Sequence, residues 1–303
     1  MFKRIKSFKI RHMKTIVTHL TPDVDAVSSV WLLKRFLPGW NEAEVVFVPA
    51  GKTLNNEPPD TDPDILHVDT GMGILDHHQT DEDTCAARRT MEFIAKQNQK
   101  SQRLRSERAK AKNHKFPDEA LVRLIDVVND IDHFREAYFP NPMADFYDFS
   151  LVSVMDGWKL IYPDEHQKLV NLGMISLDGI YKTFQNKVWA ENELTENGVD
   201  FTCPWGRAVG IETVNDEVIR IAQRQGYILA VRKDPHKDYV RIKGLPESTV
   251  DLTSCYNTLK KKDKEATWFL HASRKMLLNG SVKNPESKPT KLTLREIIEV
   301  LKK

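Results

Sequence analysis

The chain has 303 residues and a mass of 34.9 kDa, room for about two domains, with 40% hydrophobic and 29% charged residues and no run near the ~20 apolar residues that span a bilayer. Lys+Arg 45 against Asp+Glu 43 leaves a net charge of +2, which excludes a general polyanion-binding coat. The three cysteines, Cys85, Cys203 and Cys255, are far apart with no CxxC pair, which excludes a disulfide framework and a cysteine zinc cluster and fits a reducing, cytoplasmic setting.

Residues 1–12 (MFKRIKSFKIRH) are basic, carry no acid and lack an apolar targeting core, so they read as a disordered or non-native extension. From Lys14 onward strands alternate with helices. KTIVTH reads as a buried strand and 25–37 as a helix stopped by Pro38-Gly39. EVVFVP (44–49) and DILHVD (64–69) are further β-rich runs, followed by a helix at about 82–98. This alternation predicts a mainly parallel sheet covered on both faces, an α/β domain over 13–160.

Residues 97–116 contain seven Lys/Arg, one Glu and almost nothing apolar. They read as a solvated segment, or as an arm touching phosphates through clustered cations. A helix over 117–135 carries Leu121, Leu124, Ile125 and Val128 on one side. The aromatic, Pro-broken stretch 134–149 suits a packed loop. Helices follow at about 150–160 and 164–195, and 161–198 is expected to be a helical linker with an apolar stripe forming a seam. From about 199 a second, smaller α/β domain runs to 303, with helices at 215–225, 252–262 and 293–302.

Three clusters sit where strands of the first domain end. They are His19-Leu-Thr-Pro-Asp23-Val-Asp25, His67-Val-Asp69-Thr-Gly71 and Asp76-His77-His78. The carboxyl ends of parallel strands face one crevice, so the clusters can converge. Any one alone has a plainer reading: Asp23 or Asp25 as a helix cap, Asp69-Thr-Gly as a turn, a lone histidine as an ordinary core or surface residue. Together they pool carboxylates that would repel one another strongly unless cations cancel the charge. Mixed oxygen and nitrogen donors suit Mn²⁺, Mg²⁺, Zn²⁺ or Fe²⁺.

HLTPDVDA, VDTG and DHHQT, in that order over about residues 14–135, resemble the first three motifs of the DHH phosphoesterase superfamily. The short interval from Asp69 to Asp76 and the later FLHAS are most similar to its RecJ-like, Myg-type exonuclease branch. The glycine-rich GGGH segment of the usual companion domain is absent, leaving Trp268–Ser281 as a counterpart. The resemblance implies two Mn²⁺ ions, with Mg²⁺ also suited. It puts His19 and Asp23 on one ion and Asp25 on the other, with Asp69 shared and His77 completing the second set. A fourth-motif aspartate comes from 124–133, with Asp132 favoured and Asp130 next. His78 would face the substrate phosphate.

The reaction implied is attack of water on phosphorus in line with the leaving oxygen, with charge on the nonbridging oxygens neutralised. In the second domain His271, Ser273, Arg274 and Lys275 are candidate phosphate donors, with Asn279-Gly280 as a backbone contact; the plainer reading is a strand end plus an amphipathic helix. The expected substrate is a nucleotide or short single-stranded nucleic acid, with no membrane partner and a homodimer as the assembly. Two other readings share the residues. One is a manganese-dependent pyrophosphatase-like phosphohydrolase, for which Arg232-Lys233 would add cations, and the other is a non-catalytic nucleotide- or metal-binding protein.

Overall fold

The computed structural model describes residues 13–105, 116–281 and 283–303, except for the side chains of 101–105. The expectation for the 1–12 extension and that for 106–115 of the basic 97–116 segment therefore lie outside the described residues, while 97–105 are helical. The chain divides into two compact units between Phe184 and Gln185.

In the first unit, the β-branched run Thr15–His19 forms β1, buried at its centre. It is flanked by β2 (Glu44–Val48) and β3 (Ile65–His67) in an all-parallel sheet ordered β2-β1-β3. Parallel pairing needs a crossover, and α1 (Val24–Phe36) supplies the one from β1 to β2. Helices α2 (Ala86–Arg105), α3 (Glu119–Asp132) and α4 (Leu151–Ile161) follow. The core joins Ile16 and Leu66 of the sheet to Val27, Trp31 and Leu33 of α1, Ile94 of α2, and Leu121 and Ile125 of α3.

A long helix, α5 (His166–Asn197), adds Leu177 and Val170 to that core. It approaches α1 so closely at Gly173 that a Cβ there would stand 2.6 Å from Val27 Cγ1. Asp178 then accepts from Trp31 Nε1 at 2.8 Å and pairs with Arg35 bidentately, taking Nε at 3.0 Å and Nη2 at 2.8 Å. The aromatic stretch 134–149 is not packed as the sequence suggests. Phe134, Tyr138, Met143 and Phe149 are 76%, 88%, 89% and 96% exposed, and the two short 3-10 turns of this stretch, Arg135–Tyr138 and Asp145–Phe149, bury no residue.

In the second unit the sheet order is β4-β5-β6-β7-β9-β8. Its strands are β4 (Val199–Cys203), β5 (Gly206–Glu212), β6 (Leu229–Lys233), β7 (Val240–Gly244), β8 (Trp268–Leu270) and β9 (Met276–Asn279). Only the β5–β6 pair is parallel. Alternate residues feed opposite faces, as the pleat requires. Leu229 and Val231 join α7 (Thr253–Lys262) and α8 (Leu294–Leu301) in one cluster, while Val209, Ile211 and Ala230 join α6 (Glu217–Arg224) and the end of α5 in another.

Candidate metal centre

Four segments of the first unit bring the expected donors together. β1 ends on His19, whose Nδ1 lies 2.8 Å from the Leu20 carbonyl. A carbonyl only accepts, so Nδ1 carries the proton and Nε2 faces inward, 3.2 Å from Asp69 Oδ2 and 4.0 Å from Asp23 Oδ2. Asp23 serves two ends: its Oδ1 caps α1 by accepting from Ala26 N at 3.0 Å, which leaves Oδ2 for the cluster.

Asp25, 2% exposed, accepts from Ala86 N (2.7 Å) and Ala87 N (2.8 Å). Its carboxylate thus satisfies the first free amides of α2, a favourable place for an anion. Asp69 lies just beyond β3 in a left-handed conformation (φ 54°), with Oδ2 toward His19 and Oδ1 3.6 Å from His77 Nε2. His77 Nε2 also faces Asp132 Oδ2 at 3.6 Å and Asp25 Oδ2 at 3.8 Å. Among these six residues two sets of mutually close donors form, His19–Asp23–Asp69 and Asp25–His77–Asp132.

Asp130, the other fourth-motif candidate, turns away and pairs with Arg135 at 2.8 Å. His78 is half exposed and has its Nδ1 2.7 Å from Asp76 Oδ1. Asp76 carries no donor role here. Only 1% exposed, it accepts from the backbone amides of Met72, His77 and His78, and so pins the turn that presents both histidines. Sequence reasoning places Asp76 in the cluster but misses this duty. It also misses His166, which accepts from Thr21 N at 3.2 Å. The chain offers no local signal for a contact across 145 positions.

Electrostatics show a site short of positive charge. Burial, then Asp69 and Asp132, push the Asp25 carboxyl up, and burial does the same for Asp132. Burial would also raise Asp69, but the neighbouring His19 and His77 overcome it and hold that carboxyl below its usual range. Burial alone would lower His19; Asp69, the Leu20 carbonyl and Asp23 outweigh it and bring the imidazole to about 9. Asp69 beside His77, helped by Asp132 and Asp25 against burial, likewise brings it to about 9. Asp69 Oδ1 and His77 Nε2 are buried without a hydrogen-bond partner. Facing orphaned donors in a nest of carboxylates fit divalent cations, whose places protons on the imidazoles take in the bare chain.

A cation needs these nitrogens bare, so loading at pH 7 should release at least about two protons per chain, and affinity should climb until pH passes about 9. Calorimetry of Mn²⁺ binding in buffers of differing protonation heat reads that number directly. A release of zero would remove both histidines from the ligand set.

The second-domain candidates form a different object. His271 to Lys275 make the turn between β8 and β9, with Arg274 in the left-handed region (φ 58°), and not the amphipathic helix the sequence allowed. His271 Nδ1 and Ser273 Oγ are 2.9 Å apart, Arg274 pairs with Asp251 at 3.2 Å, and Lys275 Nζ donates to the Ser248 and Val250 carbonyls. Asn279 and Gly280 are structural. Asn279 is fully buried and bonded to Thr267, Lys288 and Thr290, and a Cβ on Gly280 would fall 2.0 Å from the Tyr239 ring.

No family model matches the sequence, and no curated protein matches it. Among solved structures, RecJ in complex with Mg²⁺ from Thermus thermophilus aligns at 11% identity and TM-score 0.28, over 96% of this chain and 49% of that one. Exonuclease RecJ bound to manganese aligns at 10% and 0.30, over 96% and 90%. An exopolyphosphatase-related protein from Bacteroides fragilis aligns at 12% and 0.21, over 95% and 90%. The chain spans about half the length of the Thermus RecJ chain. Overlaps this loose carry no functional weight, and the functional reading rests on the side chains themselves. No helix among the described residues is long and apolar enough to cross a membrane.

Proposed function

We propose that the chain is a two-metal-dependent phosphoesterase of the DHH type that hydrolyses phosphodiester bonds of a nucleotide or short oligonucleotide. The carrying observation is the pair of three-donor sets joined by Asp69, whose two carboxylate oxygens face different imidazoles. Mn²⁺ or Mg²⁺ bound there would acidify a water and neutralise phosphoryl oxygens.

The chain's own groups do the rest. Leu20 fixes the His19 tautomer and Asp76 fixes the ring of His78. With Nδ1–H donating to Asp76, the Nε2 of half-exposed His78 can reach a phosphate oxygen and, in the imidazolium form, donate to it as charge builds. Asp25, gripped by the Ala86 and Ala87 amides of α2, would keep one donor set from shifting during the reaction.

A diester is favoured over pyrophosphate by the state of the basic residues. Arg232 and Lys233 are buried and already paired with Asp216, Asp234 and Asp238, and Arg274 and Lys275 are also engaged. A pocket for a highly charged pyrophosphate needs cations left unspent. The test is a Mn²⁺-supplemented hydrolysis screen of pyrophosphate, cyclic dinucleotides, short RNA and short DNA. Turnover of at least one diester with pyrophosphate left intact is expected. Turnover of pyrophosphate alone would overturn the diester reading, and no turnover of any, with metal bound, would leave a binding protein.

A further inference from the structure

We infer that His166 is a positioning residue for the His19–Asp23 donor set, a role that rests on the metal-centre reading above. His19 is fixed at the end of β1 and Asp23 at the cap of α1, so residues 20–22 must bridge two anchored points. Leu20 N is taken by the Val48 carbonyl, and Pro22 has no N–H. The turn falls on Thr21, which adopts φ 54°.

That conformation is strained twice over. A β-branched residue is a steric outlier in the left-handed region, and a residue before proline is pushed toward extended backbone. Strain of this kind persists only where surrounding contacts hold it. Besides the Val48 carbonyl on Leu20 N, the turn is held from outside by His166 Nδ1, 3.2 Å from Thr21 N, with its ring set against Phe47 at a centroid distance of 5.5 Å. His166 opens α5 and touches no donor of the centre itself. It holds the backbone between two of them.

The experiment measures Mn²⁺ dissociation constants by calorimetry, together with the unfolding midpoint of the metal-free chain. His166→Phe keeps a ring beside Phe47 and removes the acceptor. It should weaken one Mn²⁺ site by about fivefold, the size of one net hydrogen bond, while the metal-free midpoint falls by no more than the few degrees that loss of one such bond brings. His166→Asn places Oδ1 near the position of Nδ1 and should restore affinity to within about twofold. In a Thr21→Gly background, where the left-handed turn costs nothing, the His166→Phe loss should shrink below about twofold.

Native affinity in His166→Phe, or an equal loss in His166→Asn, overturns the inference. So does a loss undiminished in the glycine background. If His166→Phe fails to fold, His166→Asn against His166→Gln makes the same comparison, since the longer side chain carries its oxygen past the Nδ1 position. A native chain that binds no Mn²⁺ removes the centre and this inference together, whereas native binding with an indifferent His166→Phe removes the inference alone.

Discussion

Replacing Asp69 by Asn should lower phosphodiester turnover by about 10³-fold or more and cut Mn²⁺ stoichiometry from two to one. Asp69 divides its oxygens between the His19 and His77 sides, so one neutral amide weakens both donor sets at once. Asn is the informative substitution because it tolerates the left-handed backbone at this position (φ 54°), whereas Ala would add strain of about 1–3 kcal/mol unrelated to metal. Activity against a diester and metal content after dialysis are the two readouts. Near-native values of both would show that the cluster is not the reaction centre.

His78→Ala should behave in the opposite way toward metal. The imidazole is anchored through Nδ1 to Asp76 and half exposed, so two ions should remain while the rate falls by about 10²–10³. The alternative is written in the geometry, since Asp69, His77 and His78 also form a mutually close donor group. Loss of one ion in the variant would place His78 among the ligands and free His77 for the substrate. Metal analysis alongside single-turnover rates separates the two cases.

Much of the first unit is legible in the chain. TIVTH before Asp23, then an apolar helix closed by Pro38-Gly39, specifies a strand, a cap and a crossover by local rules alone. Asp130 and Asp132, between which the motif alone does not choose, differ in helix phase. Leu121, Leu124, Ile125 and Val128 mark the buried side of α3, and Asp132 lies four residues past Val128 on the same stripe. Asp130, two residues past, is turned about 200° away and meets Arg135.

What escapes the sequence has a common cause: it depends on partners that only the folded backbone brings within reach. Arg232 and Lys233 look like free cations until β6 places them beside Asp216, Asp234 and Asp238. The basic run at 271–275 has helix-like spacing, yet Arg274 takes a turn conformation because Met276 to Asn279 pair back on β7 and β8. The strand Val199–Cys203 carries little signal in its mixed composition, and exists because Gly206–Glu212 offers it a ladder. The aromatic residues of 134–149 look like core by composition, which says nothing of whether a partner face exists.

The donors of the centre come from His19 to Asp25, from Asp69, from His77 and from the last residue of α3. The full donor set is brought together only by folding, so a cation held by all of it is a ligand of the native state. At a free concentration one hundredfold above its dissociation constant, such a ligand adds about 2.7 kcal/mol to the cost of unfolding. That is a large fraction of what holds an ordinary domain together. Maturation of the chain in a cell would then depend on the supply of metal as much as on temperature, and a chelator would act on it as a mild denaturant.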